Sequence, residues 1–251
     1  WSYWVCAYAN RQHSLQQKIN ADPAQTSFFK AMSLAEGVLL ILDSEATPYT
    51  RLWCAFEEHV ALDESSDGRP QRPRMLLDMA ASGPSSTFAQ VFTDGFSAAE
   101  RDLQDANLAN RLRMYRHASF PLAVLAKGLK PKLHEAQASE PADRRHILNT
   151  IAGKPLEDEP PTCHPAYDRV NARLGGICAR AGWEKALVEG RIKDFCFPDA
   201  LRSDPMIRSM QFDLSFLNPC DGDLRDLSEG LPANLLDLKV NLRGCNQIRD
   251  Q

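Results

Sequence analysis

The run of residues 37–62 places the strongest constraint on the fold of this chain. Residues 38–42 (VLLIL) are consecutive aliphatics, and Asp43 and Ser44 follow them directly. An uninterrupted apolar run of this length predicts a parallel strand that is buried on both faces and ends in a polar loop. In sheets of parallel strands, ligands and partners usually bind at this carboxyl edge. The segment therefore predicts a unit of an α/β domain.

A helix is predicted directly after this loop. Apolar residues recur at helical spacing at Trp53, Phe56, Val60 and Ala61. We therefore expect Trp53 to point into the core. The acidic residues Glu57, Glu58 and Asp63 are expected to share the solvent side, and Asp43 is expected to cap Thr47 or the helix.

The composition describes an ordinary globular chain without the charge of a nucleic-acid binder. The 251 residues are 43% hydrophobic and carry a formal net charge of -4, from acidic and basic residues that are intermixed. No basic block forms the electrostatic footprint that nucleic acid requires, so we expect no nucleic-acid partner. No apolar run approaches the roughly 18 residues of a bilayer span, so no membrane span is expected.

The cysteines are inconsistent with a disulfide framework. They number seven and are scattered singly, with no CxxC pair. This pattern excludes a structural zinc site of the usual spacing, so we predict no metal. It favours a reducing compartment, and we expect the chain to be cytoplasmic.

The middle of the chain alternates helices and loops. Residues 75–79 are a possible third strand, and Ser97 with Glu100 is a capping box for a helix over 97–114. Its leucines at 103, 108 and 112 are expected to face inward. Residues 120–133 are compatible with either an edge strand or a short helix. The stretch 156–165 is rich in proline and predicts a loop, after which a long helix is predicted over 167–187.

The last sixty residues contain an internal repeat. Alternating apolar residues at 210, 212 and 214 recur at 238, 240 and 242, an offset of 238 − 210 = 28 residues. Each copy is followed by a cysteine, so that the repeat motif comprises Leu214 with Cys220 and Leu242 with Cys245. The first cysteine lies six residues after its leucine and the second lies three residues after.

The first part of the chain resembles the Toll/interleukin-receptor (TIR) domain, in which a hydrophobic strand is followed by a loop and a WCxxE helix. Trp53, Cys54 and Glu57 match that motif. Together with YWVCAYANRQHSL, FFKAMSLAEGVLLILD and TRLWCAFE, it is similar to a divergent TIR-like family in multidomain proteins of algae and other protists. The resemblance implies a flavodoxin-like parallel sheet with flanking helices over residues 1–190. The sheet is expected to be truncated before Trp1, lacking the first strand and its nucleotide-contacting loop.

The repeat resembles cysteine-containing leucine-rich repeats, with one strand and one helical piece per unit. This resemblance implies a partial leucine-rich-repeat segment over residues 191–251. The array is expected to continue beyond Gln251, because a repeat needs neighbours to bury its face.

These resemblances imply a non-enzymatic signalling module that assembles with other proteins, including homotypic TIR-like contacts. No cofactor is implied. The alternative is an NAD-cleaving glycohydrolase, with NAD as substrate and a catalytic glutamate on the helix before the 38–42 strand. Gln25 falls near that glutamate's position and cannot supply its charge. Glu36 and His13 are the remaining catalytic candidates.

Overall fold

The computed structural model describes Val5 and residues 22–62, 76–82, 88–93 and 96–248. The strand expected over residues 4–9 lies outside the described residues except for Val5. The loop expected over residues 10–13, including the candidate His13, lies outside them as well. The fold is a mixture of helices and small β-sheets and is of the α/β class.

Helices provide most of the regular structure. In chain order they are α1 (Ser27–Met32), α2 (Leu52–Leu62), α3 (Ala98–Arg101), α4 (Ala106–Ser119), α5 (Leu122–Lys127), α6 (Pro141–Ala152), α7 (Pro165–Val188), α8 (Phe197–Ser203) and α9 (Asp221–Glu229). Short 3-10 turns occupy Pro23–Gln25, Thr47–Thr50 and Leu133–Glu135. None of the described helices is long and apolar enough to cross a membrane.

The strands form two small sheets. They are β1 (Gly37–Leu42), β2 (Leu76–Ser82), β3 (Ala89–Thr93), β4 (Ser209–Asp213) and β5 (Asp237–Asn241). One sheet has the order β1-β2-β3, and in it β2 and β3 pair antiparallel, with Ala80 opposite Val91. The other sheet pairs β4 and β5 in parallel.

The chain divides into two compact units, and the first is built on α2, α6 and the start of α7. Its described residues are Val5, 22–40, 48–62, 76–77 and 132–170. The core holds Leu52, Phe56, Ile147, Leu148 and Tyr167, each no more than 1% exposed. The Tyr167 hydroxyl donates to the Leu148 carbonyl at 3.0 Å, so the polar end of this buried ring is satisfied.

The second unit is built around the C-terminal part of α7. Its described residues are 41–47, 78–82, 88–93, 96–131 and 171–248. The ring of Trp183 lies 6.2 Å from that of Phe197 and 5.9 Å from that of Phe212. Because Trp183 is 1% exposed, these three rings form a buried aromatic cluster that holds β4 against the helices.

Several predicted elements are confirmed. The strand at residues 38–42 is β1, the strand at 75–79 is β2, and the long helix predicted over 167–187 is α7. The open question over residues 120–133 is resolved as the short helix α5. The proline-rich stretch at 156–165 is irregular until α7 begins, as predicted.

The prediction that β1 is buried on both faces is wrong. Leu40 and Leu42 are buried, whereas Leu39 and Ile41 are 51% and 73% exposed. The strand thus alternates in burial like a strand covered on one side, although its sequence contains no polar residue to indicate this. The expectation of an all-parallel sheet is also wrong for β2 and β3, which pair antiparallel.

The helix predicted over residues 97–114 is interrupted. The capping box is present, since the Ser97 N–H donates to Glu100 at 2.8 Å and the Glu100 N–H donates to the Ser97 hydroxyl at 3.3 Å. The helix that it caps is the short α3, however, and Asp105 then caps a new helix, α4. Leu112, predicted to face inward, is 44% exposed, and the residue that α4 buries is Ala109.

Candidate functional site

The pairing of β4 with β5 repeats the 28-residue offset found in the sequence. Met210 lies opposite Leu238, and Phe212 lies opposite Val240. Backbone pairing continues past the strands, since the Leu214 N–H donates to the Asn241 carbonyl at 2.9 Å. The intervening chain forms α9, which completes a strand-helix-strand unit.

The two faces of this strand pair differ in polarity. Met210, Phe212 and Leu214 are no more than 2% exposed, so one face of β4 packs into the unit. The opposite face carries polar side chains in alternate positions, as the two-residue period of a strand requires. They are Ser209, Gln211 and Asp213 on β4 and Asp237, Lys239 and Asn241 on β5.

Helix α4 presents a second polar wall. Asp105 caps its N-terminus by accepting from the Asn107 N–H at 2.8 Å and the Leu108 N–H at 3.2 Å. Residues at positions i, i+3, i+4 and i+7 of a helix share one face. On α4 that face carries Asn107, Asn110, Arg111 and Met114.

These two walls enclose a cleft of about 560 Å³, which lies within the second unit. Its floor and far side come from Gln211, Asp213, Asn241 and Arg243. We call this the polar cleft. Its volume is in the range typical of ligand pockets, but its lining is polar where small-molecule pockets are mostly apolar. Asp213 and Asn241 are the last residues of parallel strands, so the cleft lies at the carboxyl edge of the β4–β5 pair.

Beside the cleft, a half-buried carboxylate supports β4. Glu184 of α7 accepts the Asp213 N–H at 2.9 Å and so fixes the end of the strand. Burial raises the pKa of Glu184 to about 7, an effect that the hydrogen bond from the Asp213 N–H opposes. The nearby Asp213 charge adds to the increase, and Arg113 opposes it.

Arg113 and the Glu100–Arg116 pair support α4. The Arg113 guanidinium lies 4.8 Å from the centre of the Phe96 ring, a cation–π contact, and burial lowers its pKa. Arg116 donates to both oxygens of Glu100, from Nε at 2.9 Å and from Nη2 at 2.8 Å. These contacts hold the polar wall of α4 in place.

Only part of the predicted repeat motif comes together. The Cys245 thiol donates to the Leu214 carbonyl at 3.2 Å, so these two residues join the two copies. Cys220 is exposed and lies at the start of α9, and Leu242 is half-buried. The unequal spacing of the two cysteines in sequence corresponds to these different positions.

The thiol of Cys245 is expected to stabilise the strand pair. Replacing Cys245 with Ala removes a half-buried hydrogen bond and should lower the free energy of unfolding by about 1 kcal/mol. Urea denaturation measures this change. Cys163→Ala, at an exposed loop cysteine, serves as the control and should have an effect within about 0.5 kcal/mol. Equal effects of the two substitutions would show that the Cys245 contact does not stabilise the repeat.

The residues of the WCxxE motif, Trp53, Cys54 and Glu57, lie in the first unit. Trp53 is half-buried and packs on the core, where its indole Nε1–H donates to Asp143 at 3.0 Å and its ring stacks on Phe28. Cys54 is half-buried and is not in a disulfide. Burial raises the pKa of Glu57 to about 7, and the Arg51 charge opposes this increase.

The expectation that Glu58 faces solvent is wrong. Glu58 is 3% exposed, and its Oε1 has no hydrogen-bond partner among the described residues. Burial raises the pKa of Glu58 to about 8, and the neighbouring Glu57 charge adds to the increase. The sequence prediction placed Glu58 at the solvent side because its side chain is acidic, and this reason was not sufficient.

Of the catalytic candidates, Glu36 and Gln25 do not line the described clefts, and His13 lies outside the described residues. Glu36 is exposed in the turn before β1. Gln25 lies in the Pro23–Gln25 turn, where its side-chain amide donates to Asp22 at 3.0 Å. Asp43 caps Thr47 as predicted, accepting from the Thr47 N–H at 2.8 Å and the Thr47 hydroxyl at 2.6 Å. These hydrogen bonds lower the pKa of Asp43.

The sequence prediction missed the polar cleft. Two signals were present: the alternate polar residues within the repeat, and the helical spacing of Asn107, Asn110, Arg111 and Met114. What the sequence does not reveal is that these segments, about a hundred residues apart, face each other.

Comparisons with protein-family models, curated proteins and solved structures find no match to this chain.

Proposed function

We propose that this chain is a non-enzymatic protein-interaction and signalling module that recognises a partner protein through the polar cleft. The observation that carries the proposal is the parallel pairing of β4 with β5 at an offset of 28 residues, with α9 between them. Consecutive units of repeat proteins have this arrangement, and they bind partners along the exposed face of their strands. In this proposal residues 191–251 are a partial, cysteine-containing leucine-rich-repeat segment.

The N-terminal part contributes a TIR-like assembly surface in this proposal. Its support is the order of β1, a loop capped by Asp43, and α2, with Trp53 packed on the core. The antiparallel pairing of β2 and β3 limits this support to the β1–α2 segment. We place the module in the cytoplasm, in agreement with the lack of disulfide bonds among the described cysteines.

Partner capture with a blocked cleft tests the proposal. Asn110→Trp places a bulky ring in the polar cleft, while Ser228→Trp places the same ring on exposed α9, outside the cleft. Each protein is immobilised on a resin and incubated with extract of the source cells, and the retained proteins are measured by quantitative mass spectrometry. We expect wild type and Ser228→Trp to retain the same proteins. Asn110→Trp should lose them. An identical set of proteins from all three baits would contradict recognition through the cleft.

The glycohydrolase alternative has its own test. We expect the folded chain incubated with NAD to release no more nicotinamide than its Glu36→Ala variant does. Release that Glu36→Ala abolishes would replace the interaction module with an NAD-cleaving enzyme. Chromatographic measurement of nicotinamide distinguishes the two outcomes.

A further inference from the structure

The polar cleft contains side chains whose hydrogen-bonding groups are unused. Within the described part of the chain, no hydrogen bond or ion pair is made by the side chains of Asn107, Asn110, Arg111, Gln211 and Arg243. Elsewhere in the second unit, polar side chains such as Arg116 and Glu100 pair with one another. A cluster of unpaired polar groups around one cleft is available for a ligand.

The acidic side chains of the cleft make hydrogen bonds within the protein, whereas its basic side chains do not. The Asp105 carboxylate accepts two backbone N–H groups at the start of α4. The Asp213 carboxylate accepts the Ser215 N–H at 3.1 Å and the Ser215 hydroxyl. Arg111 and Arg243 have no such partners among the described residues. The lining thus carries two negative and two positive charges, and only the two arginines have no hydrogen-bond partner among the described residues, so they are the groups available to pair with an acidic group on a ligand.

The remaining groups are carboxamides. A carboxamide offers a donor and an acceptor together, the same pair that a peptide bond presents. Among the described residues no aromatic side chain lines the cleft, so this part of the chain offers no stacking surface of the kind that binds the bases of nucleic acids and nucleotides. The chemistry of the lining matches a peptide backbone with an acidic side chain better than it matches a nucleotide.

We propose that the polar cleft binds an extended peptide segment of the partner, with its main chain on the carboxamides and an acidic side chain between Arg111 and Arg243. This inference rests on the proposed function and specifies the ligand class of the same site. From Asn107 to Met114 the helical wall is roughly 10 Å long, which spans about three residues of extended chain. The opposite wall repeats every second residue, as an extended peptide does.

Peptide titration followed by NMR tests the assignment. The probes are short Gly-Ser peptides with a central Asp-Glu-Asp, Lys-Lys-Lys or Ser-Ser-Ser, added to the full chain labelled with ¹⁵N. We expect the acidic peptide to shift the side-chain amide signals of Asn107, Asn110 and Gln211 in a saturable way. The basic and neutral peptides should shift them less at equal concentration.

A charge-matched pair of variants locates the binding. Arg111→Ala with Arg243→Ala should weaken binding of the acidic peptide by roughly tenfold. Arg101→Ala with Arg225→Ala removes two exposed arginines outside the cleft and should leave binding unchanged. If both double variants weaken binding equally, the peptide responds to the net charge of the protein and not to the cleft, and the assignment is overturned.

Two further outcomes would also overturn it. If acetate or inorganic phosphate gives the same shifts as the acidic peptide, the cleft is an anion site and not a peptide site. If no peptide shifts the amide signals while Asn110→Trp still abolishes partner capture, the cleft recognises a protein in another way. In that case the ligand class is wrong and the proposed function stands.

Discussion

Replacing Asp204 with Ala is expected to lower the free energy of unfolding by roughly 3–5 kcal/mol, because it removes the carboxylate that neutralises a buried arginine. Asp204 is fully buried and Arg173 is 5% exposed. The Asp204 Oδ2 atom lies 3.1 Å from the Arg173 Nη1 atom. The other oxygen of Asp204 accepts the Met206 N–H at 2.9 Å, so the loop after α8 loses a contact as well.

The surroundings of Asp204 leave little room for an alternative arrangement. Gly176 of α7 lies against it, and a Cβ at that glycine would be 2.4 Å from the Asp204 Cβ. Burial raises the pKa of Asp204, and the neighbouring Arg173 charge opposes this increase. The pair fastens the end of α8 to α7 inside the second unit.

Urea denaturation of matched variants measures this contribution. Asp199→Ala makes the same substitution in the solvent-exposed pair with Arg202, where we expect a loss of about 1 kcal/mol or less. In Asp204→Ala the buried charge of Arg173 has lost its carboxylate partner. Adding Arg173→Met replaces that charge with an apolar side chain and should recover part of the lost stability. Similar losses in Asp204→Ala and Asp199→Ala would show that the buried pair has no special structural role.

The Arg173–Asp204 pair also illustrates what a sequence does not reveal. Its members are 31 residues apart. Arg173 lies on α7 and Asp204 directly after α8, and nothing in either local pattern indicates that they meet. The strand β1, the helix α2 and the long helix α7 were predictable because apolar periodicity is a local property. The partner of a given strand depends on distant segments, which is why the antiparallel pairing of β2 with β3 was missed.

The candidate site likewise has one part that the sequence predicted and one part that it did not. The 28-residue offset was visible in the sequence because the two copies share a pattern, and it corresponds to the register of β4 and β5. The second wall of the polar cleft was not visible, since α4 has no sequence relation to the repeat. The break between α3 and α4 was not predicted, because a capping box marks where a helix begins and not where it ends.

Glu58 is expected to make the stability of the chain depend on pH. Burial raises its pKa to about 8 in the folded protein, against 4.5 for an unperturbed glutamate side chain. Between these values the folded state binds a proton that the unfolded state has lost, so stability falls as pH rises from about 4.5 to about 8. The full change is on the order of 5 kcal/mol if Glu58 titrates alone. Glu57 interacts with Glu58, so the two carboxyls titrate as a pair.

Glu58→Gln removes this titration while keeping a side chain of the same size. Urea denaturation at pH 5 and pH 9 should show a smaller loss of stability in Glu58→Gln than in wild type, and the variant should be the more stable of the two at pH 9. Glu184, whose pKa is also raised, contributes equally to both proteins and cancels in the comparison. Glu159→Gln, at an exposed loop position, controls for the loss of one carboxylate and should follow wild type. If Glu58→Gln loses as much stability between pH 5 and pH 9 as wild type does, the pKa of Glu58 is not raised by burial and this carboxyl is ionised in the folded protein at neutral pH.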